Sequence, residues 1–349
     1  MKTWLKRIVL PIYQFVMVHL FSKKLNLNTG NEERRAYLFL SPDYGNVGDI
    51  AIYFAQVELL KKFYKAENII SISVQDTYKY AKNIKKNIGL KDTIFLVGGG
   101  NFGGLYPAAD YGRLFLLKYF KEYKIVSFPQ TITEASNCDF ISKYQKAFSS
   151  CVDANLFLRE KKSYELACHY FSKTGIKIDL VPDIVFSLKK TVPINSERAS
   201  TIILSLRKDK EGLLSEEDRT YIKEKLKLLH FSFQEIDTIV DNYNSSEKET
   251  YFQYILKNYL QAKMVITDRL HGMIFAYITR TPCIVFDNNN GKIKNTYSLW
   301  LKDCKYICFA ENFEEVTKYI TYFDQLTIDN FECTIDEKYE KLIQAIKLK

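Results

Sequence analysis

Glycine and proline are scarce in this chain of 349 residues, at 14 and 7, and no stretch is dominated by a few residue types. That excludes long disordered or low-complexity segments, which draw on those residues and carry too few apolar side chains to bury. Cysteine is low and odd in number: Cys138, Cys151, Cys168, Cys283, Cys304, Cys308 and Cys333 form no CxxC pair and sit mostly inside apolar runs. They read as reduced, buried thiols of a cytoplasmic protein, not as a disulfide framework. Cys304 and Cys308 stand four positions apart, but no Cys and His set elsewhere completes a zinc site, so no structural metal is expected.

Long hydrophobic runs are also missing. The longest covers about 14 residues from Ile8 to Phe21 and is broken by Pro11, Gln14 and His19, whereas a spanning helix needs roughly 20. It lacks a small-residue cleavage site, which argues against a secretory signal. Lys or Arg flanks both its ends. Two readings of residues 1–34 stay open: an interfacial helix making peripheral contact with the inner face of the cell membrane through residues 1–28, or a helix packed on the domain surface. No zinc-finger, RNP or basic-zipper pattern is present, so nucleic acid is not an expected partner. Nor is there an internal repeat of roughly 20–50 residues.

What is there is an enzyme-sized globular chain. Its length exceeds what one core usually supports, which predicts two domains, and 47% hydrophobic with 26% charged residues is ordinary globular usage. A net charge of +9 favours anionic partners such as phosphorylated metabolites, lipid diphosphates or a membrane surface.

From Ala36 short apolar runs alternate with amphipathic segments, as in a doubly wound parallel sheet. Strands are expected at Tyr37–Leu40, Ile69–Val74, Thr93–Val97, Lys124–Phe128, Ala154–Leu158 and Ile176–Leu180, with helices at Ile50–Tyr64 and Ser163–Phe171. That is one Rossmann-like domain, residues 35–190. After a polar stretch a second series begins, with strands at Thr201–Leu206, Ser232–Glu235, Met264–Thr267 and Cys283–Phe286. Helices Glu216–Leu229, Lys248–Ala262 and Gly272–Thr279 lie between these strands, making a second Rossmann-like domain, residues 191–330. A C-terminal helix within 331–349 completes an α/β chain in a GT-B-like arrangement, with ligands expected in the cleft between the domains.

Ligands of open α/β sheets gather at the carboxyl ends of strands, so chemistry-bearing residues there carry weight. The first strand runs into SPDYGNVGDIAI (41–52), where Gly45 and Gly48 free the backbone and Asp49 is placed to cap the next helix. The third runs into GGGNFGG (98–104), which lets a ligand or the opposite domain approach the main chain. Gly98, Gly100 and Gly103 spell GxGxxG, but the next strand ends in SFPQTI (127–132) with no ribose-binding carboxylate, which argues against a dinucleotide cofactor. Arg159 follows a strand and offers a planar fork for a carboxylate or phosphate. Asp183, after another strand, is placed to cap a turn or to orient a neighbouring cation. In the second domain Arg207 stands at a strand end, and TDRLHG (267–272) brings Asp268, Arg269 and His271 to one helix start, with Gly272 allowing tight packing. A guanidinium, an imidazole and a carboxylate in four positions suit binding and proton transfer on a phosphorylated substrate.

The ordered set GNVGD (45–49), LVGGGNFG (96–103), FPQ (128–130), RE (159–160), PD (182–183), SLR (205–207) and TDRLHG (267–272) resembles the polysaccharide pyruvyl transferases over about residues 40 to 300. The resemblance implies transfer of the enolpyruvyl unit of phosphoenolpyruvate to two hydroxyls of a sugar, giving a cyclic ketal on a cell-surface polysaccharide or its lipid-linked precursor. It implies that Arg159 and Arg269 bind the phosphate and carboxylate of the donor and that His271 acts in acid or base catalysis. Arg207, Asn46, Asp49, Gly99, Gly100, Asn101, Gln130, Asp183 and Asp268 complete the expected substrate-binding set, and no cofactor beyond the donor is expected. The family usually begins close to its first strand, so the roughly 35 residues before it here depart from the pattern. A GT-B glycosyltransferase using a nucleotide sugar is the alternative, with Glu311 or Glu314 recruited to the ribose; a non-catalytic assembly module is a third reading.

Overall fold

The structure is a computed structural model that describes residues 3–25, 33–104, 106–133, 138–193, 197–209, 211–326 and 335–347. A helix, α1 (Thr3–His19), precedes the first sheet. That sheet is built from β1 (Ala36–Ser41), β2 (Ile69–Ser73), β3 (Thr93–Leu96), β4 (Gly99–Phe102), β5 (Lys124–Ile132), β6 (Asp153–Leu158) and β7 (Lys177–Leu180). Its strands are parallel in the order β2-β1-β3-β5-β6-β7, with β4 also paired to β5. Crossovers are made by α2 (Val47–Leu60), α3 (Thr77–Asn87), α4 (Pro107–Tyr119), α5 (Cys138–Ser149) and α6 (Lys161–Phe171). The strands are buried from end to end in β1 and β3, as a parallel sheet covered on both faces requires.

The second sheet holds β8 (Ile202–Ser205), β9 (Phe233–Glu235), β10 (Met264–Thr267), β11 (Cys283–Val285) and β12 (Ile307–Phe309) in the order β12-β11-β10-β8-β9, again parallel. Its helices are α7 (Glu216–Leu228), α8 (Lys248–Gln261), α9 (Leu270–Ile278), α10 (Lys292–Thr296) and α11 (Val316–Asp324). A last helix, α12 (Glu340–Ile346), returns to the first domain, where Leu342 and Ile346 are buried and Arg34 Nη2 donates to the Ile346 carbonyl at 3.1 Å. The C-terminal segment therefore belongs to the first domain in space.

Both sheets change winding direction beside their first strand, between β1 and β3 in one and between β8 and β10 in the other. The loops leaving those strands open a crevice, the usual ligand site of such sheets. One apolar cluster runs through both domains and fixes the crevice walls. In it α2 packs on α8, with Phe54 stacked on Phe252 at 5.5 Å, and the short helix Ile184–Lys190 packs against both α2 and α9. Strand β4 departs from the sequence reading of an open glycine loop. Its GGNF residues extend the sheet, and Gly99 adopts a φ of +123°, which a side chain would strain.

Candidate active site

A cleft of about 1140 Å³ lies between the two sets of strand ends. That is larger than the roughly 300–1,000 Å³ of most small-molecule sites and leaves room for two substrates.

Its floor is the seam where the domains meet. The loop after β1 pairs through its main chain with the loop after β9: Val47 N donates to Thr238 O at 2.8 Å, and Val240 N donates to Gly45 O at 2.7 Å. Asn46, not Asp49, caps α2, its side chain accepting from Gly48 N at 3.0 Å. The expected cap at Asp49 is thus corrected. Asp49 sits within the first turn and lines the cleft beside Tyr44. A Cβ on Gly48 would lie 2.2 Å from His271 Nδ1, so this glycine makes space for an imidazole from the other domain.

Arg159 emerges from β6 into a buried socket. Its Nε donates to Thr131 Oγ1 at 2.8 Å and its Nη1 to Asp183 Oδ2 at 2.6 Å. The remaining Nη2 lies 3.4 Å from where a Gly100 Cβ would stand, so the bare backbone of β4 lets the guanidinium reach the cleft. Asp183 does both things open to it in the sequence: Oδ1 accepts from Val185 N at 3.0 Å, while Oδ2 faces Arg159 and lies 3.5 Å from His271 Nε2. Burial alone would push the Asp183 carboxyl up, but Arg159 and His271 beside it outweigh burial and hold it well below the usual carboxylate range.

His271 occupies the first turn of α9, whose other residues are buried, and Gly272 packs against β10 so closely that its Cβ would stand 2.4 Å from Thr267 Oγ1. Arg269 caps the same helix by position and reaches Thr238 Oγ1 at 3.2 Å and Asp237 Oδ1 at 2.9 Å. Arg207 grips Asp209 with two bonds of 2.8 and 2.7 Å and lies 3.1 Å from Glu211 Oε2. Burial pushes the Asp49 carboxyl up, with His271 and Arg159 opposing.

Among the expected site residues, the cleft brings together His271, Arg269, Arg159, Arg207, Asn46, Asp49, Gly100 and Asn101. Asn101 presents an amide whose oxygen is already taken by Arg113 Nη2 at 2.6 Å. Four others stand behind the lining. Gly99 shapes β4, Asp183 backs Arg159, Gln130 donates to Val97 O at 2.6 Å within the sheet, and Asp268 accepts from the Arg207 main chain at 2.7 Å. Lys292 was missed in the sequence. It follows the Asn-rich turn after β11 at the start of α10, faces the cleft and donates to Glu211 Oε2 at 2.8 Å. Burial pushes its ammonium down, with Glu211 opposing. A lysine just past a glycine turn at a strand's carboxyl end was the available signal. Glu311 pairs with Lys294, and neither it nor Glu314 lines the cleft.

A model of the polysaccharide pyruvyl transferase family matches residues 46–290, a span that runs from the cap of α2 through β11 and includes Arg159, Asp183, Arg269 and His271. The chain is 32% identical over 322 residues to General stress protein 30 of Bacillus subtilis (strain 168), covering 90% of this chain and 87% of that protein. Pyruvyl transferase 1 of Schizosaccharomyces pombe is 28% identical over 289 residues, covering 75% and 69%. Among solved structures, the UDP-GlcNAc 2-epimerase of Methanocaldococcus jannaschii superposes with a TM-score of 0.52 at 13% identity, over 89% of this chain and 98% of that one. That likeness is one of fold: two Rossmann-like domains facing each other.

Proposed function

The chain belongs to the polysaccharide pyruvyl transferase family, and from that premise we propose that its cleft transfers pyruvyl from phosphoenolpyruvate to two hydroxyls of a saccharide, forming a ketal. The observation that carries this reading is the convergence of Arg159, Asp183 and His271 with Arg269 on one cleft. Phosphoenolpyruvate has two anionic groups flanking its reacting carbon. Arg159 and Arg269, from opposite walls, suit those two groups, and Lys292 with Arg207 adds cations on the second wall.

The chemistry needs several proton transfers. The donor's methylene carbon takes a proton and becomes a methyl, and the adjacent carbon takes the first sugar oxygen. Phosphate leaves with its bridging oxygen, and the second sugar oxygen closes the ring. Two hydroxyl protons are released and one is consumed, the balance leaving with phosphate. His271, with its Nε2 3.5 Å from the Asp183 carboxylate, is one proton carrier, since an imidazole can both accept and donate a proton and the carboxylate holds its ring in place. Asp49 is the second. It faces the cleft near His271 and Arg159, and its raised affinity for a proton suits a base that accepts one from a hydroxyl.

The rest of the cleft, beyond what a three-carbon donor fills, suits a saccharide carried on a lipid. Cys151, Cys168, Cys283 and Cys308 are free thiols, which fits the reducing compartment where we place the reaction. Calorimetry with phosphoenolpyruvate, a UDP-sugar panel and Arg269→Ala tests the reading. Saturable binding of phosphoenolpyruvate that Arg269→Ala abolishes supports it. Silence with phosphoenolpyruvate and saturable binding of a UDP-sugar would hand the cleft to a glycosyltransferase.

A further inference from the structure

Helix α1 is held to the first domain along one side. Val18 is buried, Gln14 Nε2 donates to Tyr78 Oη at 3.3 Å, and the Tyr13 ring meets Tyr78 edge-on with centroids 5.9 Å apart. Past the helix, Lys23 N donates to Lys79 O at 2.8 Å and Leu25 N to Asn83 Oδ1 at 3.0 Å, tying the segment to α3. The other side is apolar and bare. Val9, Ile12, Phe15, Leu20 and Phe21 are 46% to 73% exposed, an unusual density of large apolar side chains in one short stretch of surface.

Charge is as one-sided as polarity. Residues 1–31 contain Lys2, Lys6, Arg7, Lys23 and Lys24 and no Asp or Glu. No described helix is long and apolar enough to cross a membrane, so α1 can lie on a bilayer without spanning it. A helix with apolar residues on one side and cations at both ends matches the interface of an anionic bilayer, where acyl chains take the former and headgroups the latter. A second copy of the chain fits poorly, because residues 1–31 carry Lys and Arg but no Asp or Glu, so a two-fold contact between copies of this segment would bring like charge to like charge.

The position of the face gives it a use. Lys23 Nζ lies 3.2 Å from Asp76 at the start of α3, and the two residues before Asp76, Val74 and Gln75, line the cleft. The apolar face therefore ends beside the cleft mouth. We propose that α1 docks the protein on an anionic lipid bilayer through Ile12, Phe15, Leu20 and Phe21, holding the cleft mouth at the lipid surface. The docking stands on α1 alone; its purpose, presenting the cleft to a saccharide on a lipid carrier, rests on the pyruvyl transfer reading.

Co-sedimentation of the full chain with vesicles decides it. With about 30% phosphatidylglycerol in phosphatidylcholine the chain should pellet, with pure phosphatidylcholine it should not, and about 0.5 M salt should weaken binding roughly tenfold. The double variant Phe15→Glu, Phe21→Glu should stay in the supernatant, and Lys24→Glu, at an exposed lysine, should weaken binding by a few fold with the apolar face intact. Failure of the full chain to pellet with anionic vesicles, or unchanged pelleting of the double variant, overturns the proposal. So does a dimer in sedimentation equilibrium that the double variant converts to monomers without any vesicle binding, which would make the face a contact between copies. Phosphoenolpyruvate calorimetry on the same variants keeps the two readings apart. Donor binding retained in the double variant shows an intact fold, and a wild type that pellets without binding donor leaves the docking in place while the cleft reading fails.

Discussion

Arg159 and Arg269 face one cleft from opposite domains, yet the carboxylates that answer them differ: the Asp183 side chain is 1% exposed, that of Asp237 46%. Asp183 is held by the Val185 amide and backed by Tyr339, whose hydroxyl donates to its main-chain carbonyl at 2.5 Å. No substrate can displace it, so Arg159 presents a fixed remainder of its guanidinium. Asp237 stands on the loop after β9 and can be exchanged for a ligand anion at little cost, as exposed ion pairs are worth little. Asp209, 38% exposed, stands in the same relation to Arg207, whereas Glu211 pairs with both Arg207 and Lys292 from deeper in the wall. The first-domain wall is prepared in advance, and the second-domain wall is held by stand-ins for the substrate.

The comparison breaks most severely at Asp183. Asp183→Asn leaves buried Arg159 facing an amide, and losing one partner of a buried pair costs about 3–5 kcal/mol. Urea unfolding should show that loss and calorimetry should show no donor binding. A stability change under about 1 kcal/mol would falsify the claim that this wall is built on the pair. Next comes Gly48→Ala, which drives a methyl into the His271 ring. Displacing that imidazole by about 1 Å should cut turnover by about a hundredfold, while overpacking costs about 1–3 kcal/mol. A variant with full turnover, measured as phosphate release from phosphoenolpyruvate, would mean that His271 is free to work elsewhere.

Much of the fold was legible because buried parallel strands are continuous apolar runs, and each expected strand lies within a few residues of an observed one. Strand β4 was not, since GGNF offers no side-chain pattern and owes its place to pairing with β5. Within the site, Arg159, Arg269 and His271 could be found because a strand end locates them. Gln130 shares that signal and still points into the sheet, since neighbouring residues of a strand face opposite sides. Glu211 and Thr238 come from loops without periodicity and Lys292 opens the five-residue α10, and only the folded chain brings them to the cleft. The glycines of GNVGD read as a ligand loop; in the structure their missing side chains admit the other domain, a role no single-chain pattern can reveal.

Two smaller effects sharpen the contrast. Asp183 has a folded-state proton affinity depressed below the ordinary value of 3.8, so its ionised form contributes stability above about pH 4 and loses it as pH falls through and below that value. The stability gap between wild type and Asp183→Asn should therefore hold down to about pH 4 and narrow as the pH falls further towards about 2 in urea titrations. A gap independent of pH would mean that the carboxylate's charge is not what matters.

Asp237→Asn is the mildest change and the sharpest comparison, because it removes the same kind of group from the other wall. Stability should move by about 1 kcal/mol or less. Donor affinity should hold or rise by a few fold, since Arg269 no longer has to leave a carboxylate before it meets the substrate. Calorimetry on this variant distinguishes the two ways a carboxylate can serve an arginine. A roughly tenfold loss of affinity, about 1.4 kcal/mol, would show that Asp237 aims Arg269 as Asp183 aims Arg159, and the two walls would then be built alike.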